Sequence, residues 1–274
     1  MDGLLLVDKP AGPTSHDVVA MARRALRAAS GEKVRVGHAG TLDPFATGLL
    51  LVLVGRATRA QQFVLPLRKT YETVARFGAT STTGDLHGEI TETGVVPDGD
   101  LELPTGPMSQ VPHAYSAVRV QGRRAYELAR AGESVELAAR DIEVDVFEEL
   151  WRDGDRRAFR IVCSAGTYVR TLVESLGDAH CVELRRTAIG PFSVESAGAP
   201  EEIDRLIPLG DALAFLPRVE LAGDEARWAF HGRAIPAPES PVDPLVLLTD
   251  ADGPIAVAER RDDGTLKPTV GFRG

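Results

Sequence analysis

The chain has 274 residues, of which 43% are hydrophobic and 26% are charged. Its longest apolar run, residues 49–54, is far shorter than the roughly 18 residues that a membrane helix needs. Two cysteines, Cys163 and Cys181, allow at most one disulfide, and the N-terminus lacks the basic and apolar regions of a secretion signal. These features exclude a disulfide-rich secreted scaffold and a membrane-spanning protein, and we expect a cytoplasmic globular protein.

The charge of the chain is unevenly distributed. Forty acidic and 31 basic side chains give a net charge of −9, which by itself argues against a polyanionic partner. Residues 1–71, however, carry ten basic and five acidic side chains, whereas residues 195–274 carry eight basic and fifteen acidic ones. We therefore expect the positive field at the N-terminal end. Most of the cations are arginines, which suit phosphate contacts, although biased codon usage would give the same composition.

The predicted strands and helices follow one another without a regular βαβ order. The chain begins with a strand at 3–7, a helix from Thr14 or Ser15 to about 29, a Gly-rich loop at 31–48 and a buried strand at 49–54. Further strands are predicted at 69–77, 115–120, 142–150, 158–163 and 182–189, with helices at 124–131 and 167–179. Short strands at 245–248 and 255–259 follow a boundary near residue 216. This order predicts an α+β fold with a mixed, largely antiparallel sheet.

The usual cofactor and metal motifs are missing from the sequence. It has no G-x-x-x-x-G-K-[S/T] phosphate loop, no G-x-G-x-x-G fingerprint, no H-E-x-x-H pair and no cysteine pair at zinc spacing. Asp250, Asp252 and Gly253 fit a hairpin turn better than a calcium loop, because Arg261 stands at the twelfth position where calcium loops have Glu. We therefore predict no metal and no cofactor.

One acidic cluster leaves a metal site open as an alternative. Asp85, His87 and Glu89 alternate along a possible strand, so their side chains would share one face. The favoured interpretation is a solvated strand end.

The strongest local pattern is the sequence G-H-A-G-T-L-D-P at residues 37–44. It lies in a loop that is long for a compact domain, and such loops are usually functional or disordered. Pro44 disfavours a helical conformation for Asp43, and the apolar strand that follows gives the carboxylate a rigid support. Asp43 is either a positioned catalytic carboxylate or an Asx-turn residue that caps the loop, and spacing alone favours the turn.

Two further patterns could line a site. Residues 163–172, C-S-A-G-T-Y-V-R-T-L, predict a strand that turns through a glycine into a helix capped by Thr167. Arg170 would lie one turn into that helix, where its guanidinium can reach a carboxylate. Cys163 is expected to be a buried small hydrophobe. In the third pattern, K-T-Y, the ring of Tyr71 could stack on a planar ligand, although a Tyr in a strand more often belongs to the core.

Seven ordered blocks of the sequence, between residues 3 and 192, together resemble the TruB family of tRNA pseudouridine synthases. The matching residues are, in order, Leu6-Val7-Asp8-Lys9-Pro10 with Gly12 and Thr14-Ser15; Gly37-His38 through Pro44 with Gly48; Gly55 with Ala57-Thr58; Lys69 and Tyr71 with Thr83-Gly84-Asp85; Tyr115-Ser116-Ala117 with Gly122 and Tyr126; Gly166-Thr167-Tyr168 with Arg170-Thr171-Leu172; and Leu184-Arg185-Arg186-Thr187 with Gly190 and Phe192. Seven blocks in order are far more specific than any one of them. The resemblance therefore favours the catalytic interpretation of Asp43.

The resemblance implies a reaction and a set of site residues. It implies that Asp43 is the catalytic nucleophile, that Tyr71 stacks under the target base and that Arg170 is the partner of Asp43. It also implies substrate-binding roles for His38, Tyr168, Leu184, Lys9, Gly40 and Thr41. The implied reaction isomerises a specific uridine in the T-arm loop of tRNA to pseudouridine, on a flipped-out base. It needs no cofactor, because the product is an isomer of the substrate.

The resemblance also implies how the chain is divided. Residues 1–216 would form the catalytic domain, with an insertion at about 108–134 that grips the T-arm. The gripping residues would be Arg119, Arg123 and Arg124. Residues 217–274 would form a small, mostly β, PUA-like RNA-binding domain. We expect a monomer whose partner is the T-arm stem-loop of tRNA, with no membrane and no nucleotide cofactor.

The sequence departs from the family pattern in three places. The stretch at 94–110 is short and lacks a helix, Pro112-His113 replaces a Pro-Pro pair, and the segment at 177–184 is a few residues short. These differences affect the edges of the cleft more than its catalytic centre.

Other function classes remain open at this point. A non-catalytic RNA-binding or tRNA-folding protein would keep the basic surface but would not need Asp43. A carboxylate-based hydrolase of nucleosides would need a second positioned acid, for which Asp85 and Glu174 are the candidates. A guide-RNA-dependent relative is disfavoured, because the C-terminal tail is short.

Overall fold

The computed structural model describes residues 1–113, 115, 118–120, 122–125, 128, 133, 137–238 and 243–273. The strands formed by these residues are, in chain order, β1 (Gly3–Lys9), β2 (Val36–Ala39), β3 (Thr47–Val54), β4 (Lys69–Phe77), β5 (Ala79–Ser81), β6 (Ile90–Glu92), β7 (Gly106–Gln110), β8 (Arg119–Val120), β9 (Arg123–Arg124), β10 (Arg140–Asp153), β11 (Arg156–Cys163), β12 (Ala179–Ile189), β13 (Phe192–Ser193), β14 (Ile207–Pro208), β15 (Arg218–Glu220), β16 (Ile235–Pro236), β17 (Leu245–Asp250), β18 (Gly253–Arg260) and β19 (Thr265–Gly271). The α-helices are α1 (Ser15–Ser30), α2 (Gln61–Val64), α3 (Val169–Glu174), α4 (Leu209–Ala212) and α5 (Gly223–Phe230). Short 3₁₀ turns lie at Gly55–Ala60, Val194–Ser196 and Ile203–Arg205. No helix within these ranges is long and apolar enough to cross a membrane.

A large sheet forms the frame of the molecule. Its strands lie in the order β14-β1-β3-β12-β4-β11-β10-β7, with β2 paired to β3 and β13 paired to β12. The pair β3–β12 is parallel, whereas the other neighbours in the described part of this sheet are antiparallel. This arrangement confirms the predicted α+β class with a mixed, largely antiparallel sheet.

The apolar strand β3 is buried on both faces. Its odd-numbered residues 49–53 join one core cluster, and its even-numbered residues 50–54 join a second cluster beneath α1. A strand covered on both sides needs apolar residues at successive positions, which explains the unbroken run in the sequence. The strand is therefore a rigid base for the loop that precedes it.

Helix α1 begins with a capping box. The Thr14 hydroxyl accepts a hydrogen bond from the N–H of Asp17 at 3.1 Å, and the Asp17 carboxylate accepts one from the N–H of Thr14 at 2.9 Å. At the other end, Gly31 adopts the left-handed conformation with φ 72°, which ends the helix. The helix thus starts and stops where the sequence signals indicate.

Thr14→Ala is expected to lower the free energy of unfolding by about 1 kcal/mol, because the first turn of α1 loses a side-chain acceptor. Urea denaturation of the wild type and the variant measures the difference. Thr14→Ser keeps the acceptor oxygen and should retain most of the stability. An alanine variant as stable as the wild type would contradict the capping role.

A second sheet is formed by the C-terminal part of the chain. Its order is β15-β17-β18-β19-β16, and α5 packs against it. Leu247 and Val257 from this sheet, and Phe272 directly after β19, join the core cluster that contains the odd-numbered residues of β3. The small sheet is therefore tied to the large one through a shared hydrophobic core.

Three predicted elements differ from the structure. The loop predicted at 31–48 contains β2, which is held by pairing with β3. The helix predicted at 167–179 is shortened to α3, because Tyr168 is extended and Gly177 has a φ of 134°. The strand predicted at 115–120 is limited to β8 among the described residues. Most of the helix predicted at 124–131 lies outside the described residues, and its first residue ends β9.

Candidate active site

Asp43 lies on the short loop between β2 and β3, and its neighbours are tied to the N-terminal segment. The N–H of Leu42 donates to the hydroxyl of Ser15 at 2.9 Å. The ammonium of Lys9 donates to the carbonyl of Pro44 at 3.2 Å. Because the residues on both sides of Asp43 are fixed, its carboxylate is held in place.

The buried guanidinium of Arg170 joins two carboxylates. The side chain is 3% exposed, with Nη2 2.9 Å from Oδ2 of Asp43 and Nη1 3.3 Å from Oδ2 of Asp85. The same two nitrogens donate to the carbonyls of Thr83, at 2.6 Å, and Tyr115, at 3.1 Å. The structure thus brings Asp43 and Arg170 together, and it adds Asp85 as a third charged group.

Asp85 lies in a turn rather than on a strand. Its Oδ1 accepts hydrogen bonds from the Thr83 hydroxyl at 2.7 Å and from the N–H of His87 at 2.9 Å. The alternating face suggested for Asp85, His87 and Glu89 is therefore wrong, because the carboxylate of Asp85 turns inward to Arg170. Within the described ranges, no group of three His, Cys, Asp or Glu side chains could hold a metal ion.

A cleft with a volume of ≈ 460 Å³ opens beside Asp43. The residues from the sequence analysis that line it are Gly40, Thr41, Asp43, Tyr71, Tyr168, Arg170 and Leu184. Tyr71 lies on β4 and Leu184 on the neighbouring strand β12, so adjacent strands supply two of the cleft's walls. A carboxylate, an aromatic ring and an aliphatic side chain thus meet in one cleft.

Lys9 and His38 lie outside the described lining of the cleft. Lys9 is fully buried beneath the Asp43 loop, where its ammonium donates to the carbonyls of Pro10, Pro13 and Pro44 at 2.8, 2.9 and 3.2 Å. This geometry positions the loop. His38 lies on β2, and its ring meets the ring of His16 edge to face, with centroids 5.1 Å apart.

The three arginines of the predicted RNA grip lie on one hairpin. Arg119 and Arg124 are paired residues of β8 and β9, and Arg123 begins β9. The guanidinium of Arg123 lies 3.0 Å from the carboxylate of Glu133, and both side chains are about half exposed.

Arg186 is a cleft residue that the sequence analysis did not single out. Its side chain is 1% exposed, with Nε donating to the carbonyl of Leu49 at 2.8 Å and Nη2 to the carbonyl of Gly40 at 2.9 Å. It therefore clamps the start of the Asp43 loop to β3. Its place in the cleft could have been predicted from Leu184, which was expected there and lies two residues before Arg186 on β12. Side chains two residues apart on a strand share a face.

Burial controls the ionisation of the groups around the cleft. It raises the pKa of Asp43, the positive charge of Arg170 opposes that rise, and the negative charge of Asp85 adds to it. Burial also lowers the pKa of Lys9 to about 8, which the charge of Asp43 opposes. It raises the pKa of Tyr71, whose hydroxyl is therefore neutral near pH 7. The ionisation of Asp43 therefore depends on the nearby positive charge of Arg170, which opposes the rise of its pKa.

Neither cysteine is suited to act as a nucleophile. Cys163 and Cys181 are both buried, and burial raises their pKa values to about 11 and about 12. Their thiols are therefore protonated near neutral pH, and a thiolate is the reactive form.

Comparison with known proteins gives one consistent result. The family model of the TruB family pseudouridylate synthase N-terminal domain matches residues 23–169. The tRNA pseudouridine synthase B of Thermobifida fusca is 42% identical, over 100% of this chain and 99% of its own length. The protein of the same name from Ectopseudomonas mendocina is 38% identical, over 98% of this chain and 94% of its own.

Solved structures show a similar fold. The crystal structure of a Cbf5-Nop10-Gar1 complex matches with a TM-score of 0.70 and 25% identity, over 98% of this chain and 84% of that chain. An archaeal box H/ACA Nop10-Cbf5 complex matches with a TM-score of 0.66 and 26% identity, over 98% of this chain and 86% of that chain. The likeness therefore extends over nearly the whole chain, including the second sheet.

Proposed function

The chain belongs to the TruB family of pseudouridylate synthases, and from this premise we propose which uridine it modifies and how. As its relatives' names indicate, it is an isomerase that converts uridine in tRNA to pseudouridine. The proposal is that the target lies in the T-arm loop, that its base is flipped into the cleft, and that Asp43 is the nucleophile.

The observation that carries this proposal is the Asp43–Arg170 pair at the wall of the cleft. Asp43 is 33% exposed and can therefore reach a bound nucleotide, whereas its partner Arg170 is 3% exposed and fixed by backbone carbonyls. A carboxylate that loses water needs such a counter-charge to stay ionised. The pair therefore supports the proposal that Asp43 acts as an ionised nucleophile.

The chemistry of the reaction matches these residues. Pseudouridine formation breaks the bond between N1 of uracil and C1′ of ribose, turns the base and joins C5 to C1′. The hydrogen on C5 leaves as a proton, and N1 gains a proton, so substrate and product have the same atoms. In the proposed mechanism, Asp43 is the nucleophile, and Tyr71 and Leu184 are the walls that hold the uracil while it turns.

The uridine must leave the base stack before it can reach Asp43. Extruding a base costs a few kcal/mol, and stacking on an aromatic ring returns roughly 1–3 kcal/mol. Tyr71 lines the cleft and offers such a ring. The two contributions are comparable, so the flipped state is accessible once the rest of the tRNA is bound.

The hairpin of β8 and β9 supports the proposed grip on the T-arm. The pair between Arg123 and Glu133 is half exposed, and surface ion pairs of this kind contribute only about 0.2–1 kcal/mol. A phosphate can therefore replace Glu133 at little cost. We assign the second sheet, from residue 217 on, to RNA binding as a PUA-like domain.

A nucleoside hydrolase is less well supported, because it needs a second acid that is available to the substrate. Asp85 is 8% exposed and held by Arg170. The Glu174 carboxylate lies 3.6 Å from the ring of His113, and neither group lines the cleft within the described residues.

Tritium release tests the proposed reaction and target together. Forming the C5–C1′ bond expels the hydrogen of C5, so wild-type enzyme should release tritium from an unmodified tRNA transcript labelled at C5 of uridine. A transcript with cytidine in place of the T-arm loop uridine is the control and should release none. Equal release from both transcripts would reject the target, and no release from a bound tRNA would reject the reaction.

Asp85→Asn is expected to shift the acid limb of the pH profile of kcat/KM to lower pH. Activity requires ionised Asp43, whose raised pKa places this limb above the usual aspartate value of about 4. The negative charge of Asp85 contributes to that raised pKa, so removing the charge lowers it. Asp100→Asn, at an exposed site paired with Arg152, is the control. A limb that stays in place or moves to higher pH would contradict the electrostatic coupling.

A further inference from the structure

His113 lies beside the Asp43–Arg170 pair and uses both nitrogens of its ring. The side chain is 13% exposed, and its Nε2 lies 3.6 Å from Oε1 of Glu174, the last residue of α3. Its Nδ1 accepts a hydrogen bond from the N–H of Tyr115 at 3.2 Å. A neutral ring that accepts at Nδ1 carries its proton on Nε2, so the proton faces the carboxylate of Glu174. The ring therefore joins the helix to the backbone of Tyr115.

The contact with Tyr115 leads directly to Arg170. The N–H of Tyr115 donates to His113, and its carbonyl accepts from Nη2 of Arg170 at 3.1 Å. The same Nη2 lies 2.9 Å from Oδ2 of Asp43. The contacts therefore run from the imidazole, through the backbone of one residue, to the guanidinium and on to the carboxylate of Asp43.

The segment that leads to Tyr115 is attached to both ends of α3. Before the helix, the side-chain amide of Gln110 accepts from the N–H of Tyr168 at 2.8 Å and donates to its carbonyl at 3.1 Å. At the end of the helix, His113 meets Glu174. Two side chains thus hold this segment against the helix that carries the guanidinium.

Glu174 is itself packed next to Arg170. The two residues are four apart on α3, so their side chains share one side of the helix. Both lie against Gly84, where an added Cβ would be 2.8 Å from Oε1 of Glu174 and 3.3 Å from Cβ of Arg170. A glycine here, with φ 68°, lets the turn that holds Asp85 approach the helix closely. The partner of His113 thus belongs to the same packed group as the guanidinium.

We propose that His113 is a positioning residue for the reaction. It holds the carbonyl of Tyr115 against Arg170, and this guanidinium in turn orients Asp43. The inference rests on the proposed function of Asp43 and adds to it a residue outside the described lining of the cleft.

Two further observations support this role. Burial raises the pKa of Asp43, and the charge of a protonated His113 opposes that rise, so the ring also acts on the carboxylate electrostatically. His113 stands where the family pattern has a second proline, whose ring could make neither of its two contacts. The arrangement therefore departs from the family pattern.

The two contacts of His113 can be removed separately. His113→Asn keeps a side-chain acceptor for the N–H two residues ahead, as in an Asx turn, but does not reach Glu174. His113→Gln is longer and can reach Glu174, but it does not form that turn. His113→Leu removes both contacts. The three side chains are uncharged, so the variants differ mainly in the contacts that they keep.

Single-turnover tritium release at saturating tRNA measures the effect on the reaction, and filter binding measures the affinity. His113→Leu should lower the rate by about 10- to 100-fold and leave Kd within a few-fold, because a small displacement of a catalytic group has effects of that size. His113→Asn should retain most of the wild-type rate, whereas His113→Gln should resemble His113→Leu. A wild-type rate in His113→Leu, or equal rates in His113→Asn and His113→Gln, would overturn the inference.

A second background shows whether His113 acts through Arg170. In Arg170→Met no guanidinium remains for the carbonyl of Tyr115 to hold, so adding His113→Leu should cause no further loss of rate. Losses that multiply would reveal an effect independent of Arg170 and would overturn the inference. Thermal denaturation checks that each variant is folded, and the comparison of His113→Asn with His113→Gln does not depend on Arg170→Met. Failure of the wild type to release tritium would reject the proposed function instead, so the two failures are distinguishable.

Discussion

Asp43→Asn is expected to bind tRNA within a few-fold of the wild type and to lose turnover by at least about 10⁴-fold, because an amide cannot act as the nucleophile. Asparagine has the shape of aspartate, and its carbonyl oxygen can still accept the hydrogen bond from Arg170. The neighbours that fix the loop, Leu42 and Pro44, keep their contacts with Ser15 and Lys9. The change therefore removes a charge and a nucleophile but leaves the cleft in place.

Single-turnover tritium release with saturating tRNA measures this loss, and filter binding measures the affinity. Asp153→Asn replaces an exposed aspartate far along the chain and is the matched control. Turnover of Asp43→Asn within about tenfold of the wild type would contradict the nucleophilic role. Loss of tRNA affinity without loss of single-turnover rate would assign Asp43 to binding instead.

Elements with strong local patterns could be predicted from the sequence. The capping box and the terminal Gly31 set the limits of α1, and the apolar run of residues 49–54 identified β3 as a strand buried on both sides. The strand β2 could not be predicted, because its four residues, V-G-H-A, have little strand propensity and are held by pairing with β3. The length of helix α3 was overestimated, because the periodicity of apolar residues does not show where the helix begins and ends. Tyr168 and Gly177 adopt non-helical conformations on either side of it.

The candidate site shows the same division between local and distant contacts. Local sequence offered a positioned Asp43 as an alternative to a turn residue, which spacing favoured, and an Arg170 able to reach a carboxylate. The family resemblance favoured the catalytic interpretation and placed the two residues together. The role of Asp85 could not be read from the sequence, because the turn that points its carboxylate inward depends on contacts with Thr83 and Arg170. The local pattern instead favoured an exposed strand end. The spacing of residues in the sequence therefore does not predict which charged side chains a turn brings together.

Arg170→Met is expected to lower the free energy of unfolding by about 3–5 kcal/mol, because it leaves buried charge without a partner. It should also reduce kcat/KM by at least about 10²-fold, since a small displacement of a catalytic group has effects of that size. The acid limb of the pH profile should move to higher pH, because Arg170 lowers the pKa of Asp43. Arg170→Lys keeps the charge but cannot reach both carboxylates at once, so it should fall between the wild type and the methionine variant.

A double variant separates the two roles of Arg170, which neutralises Asp85 and positions Asp43. In Arg170→Met with Asp85→Asn, one buried anion is removed along with the cation, so urea denaturation should show that part of the lost stability returns. Tritium release should stay low, because Asp43 still lacks the group that holds its Oδ2 at 2.9 Å. Recovery of turnover together with stability would contradict the positioning role, since Arg170 would then serve only to neutralise Asp85. Stability restored without turnover is the result that the geometry predicts.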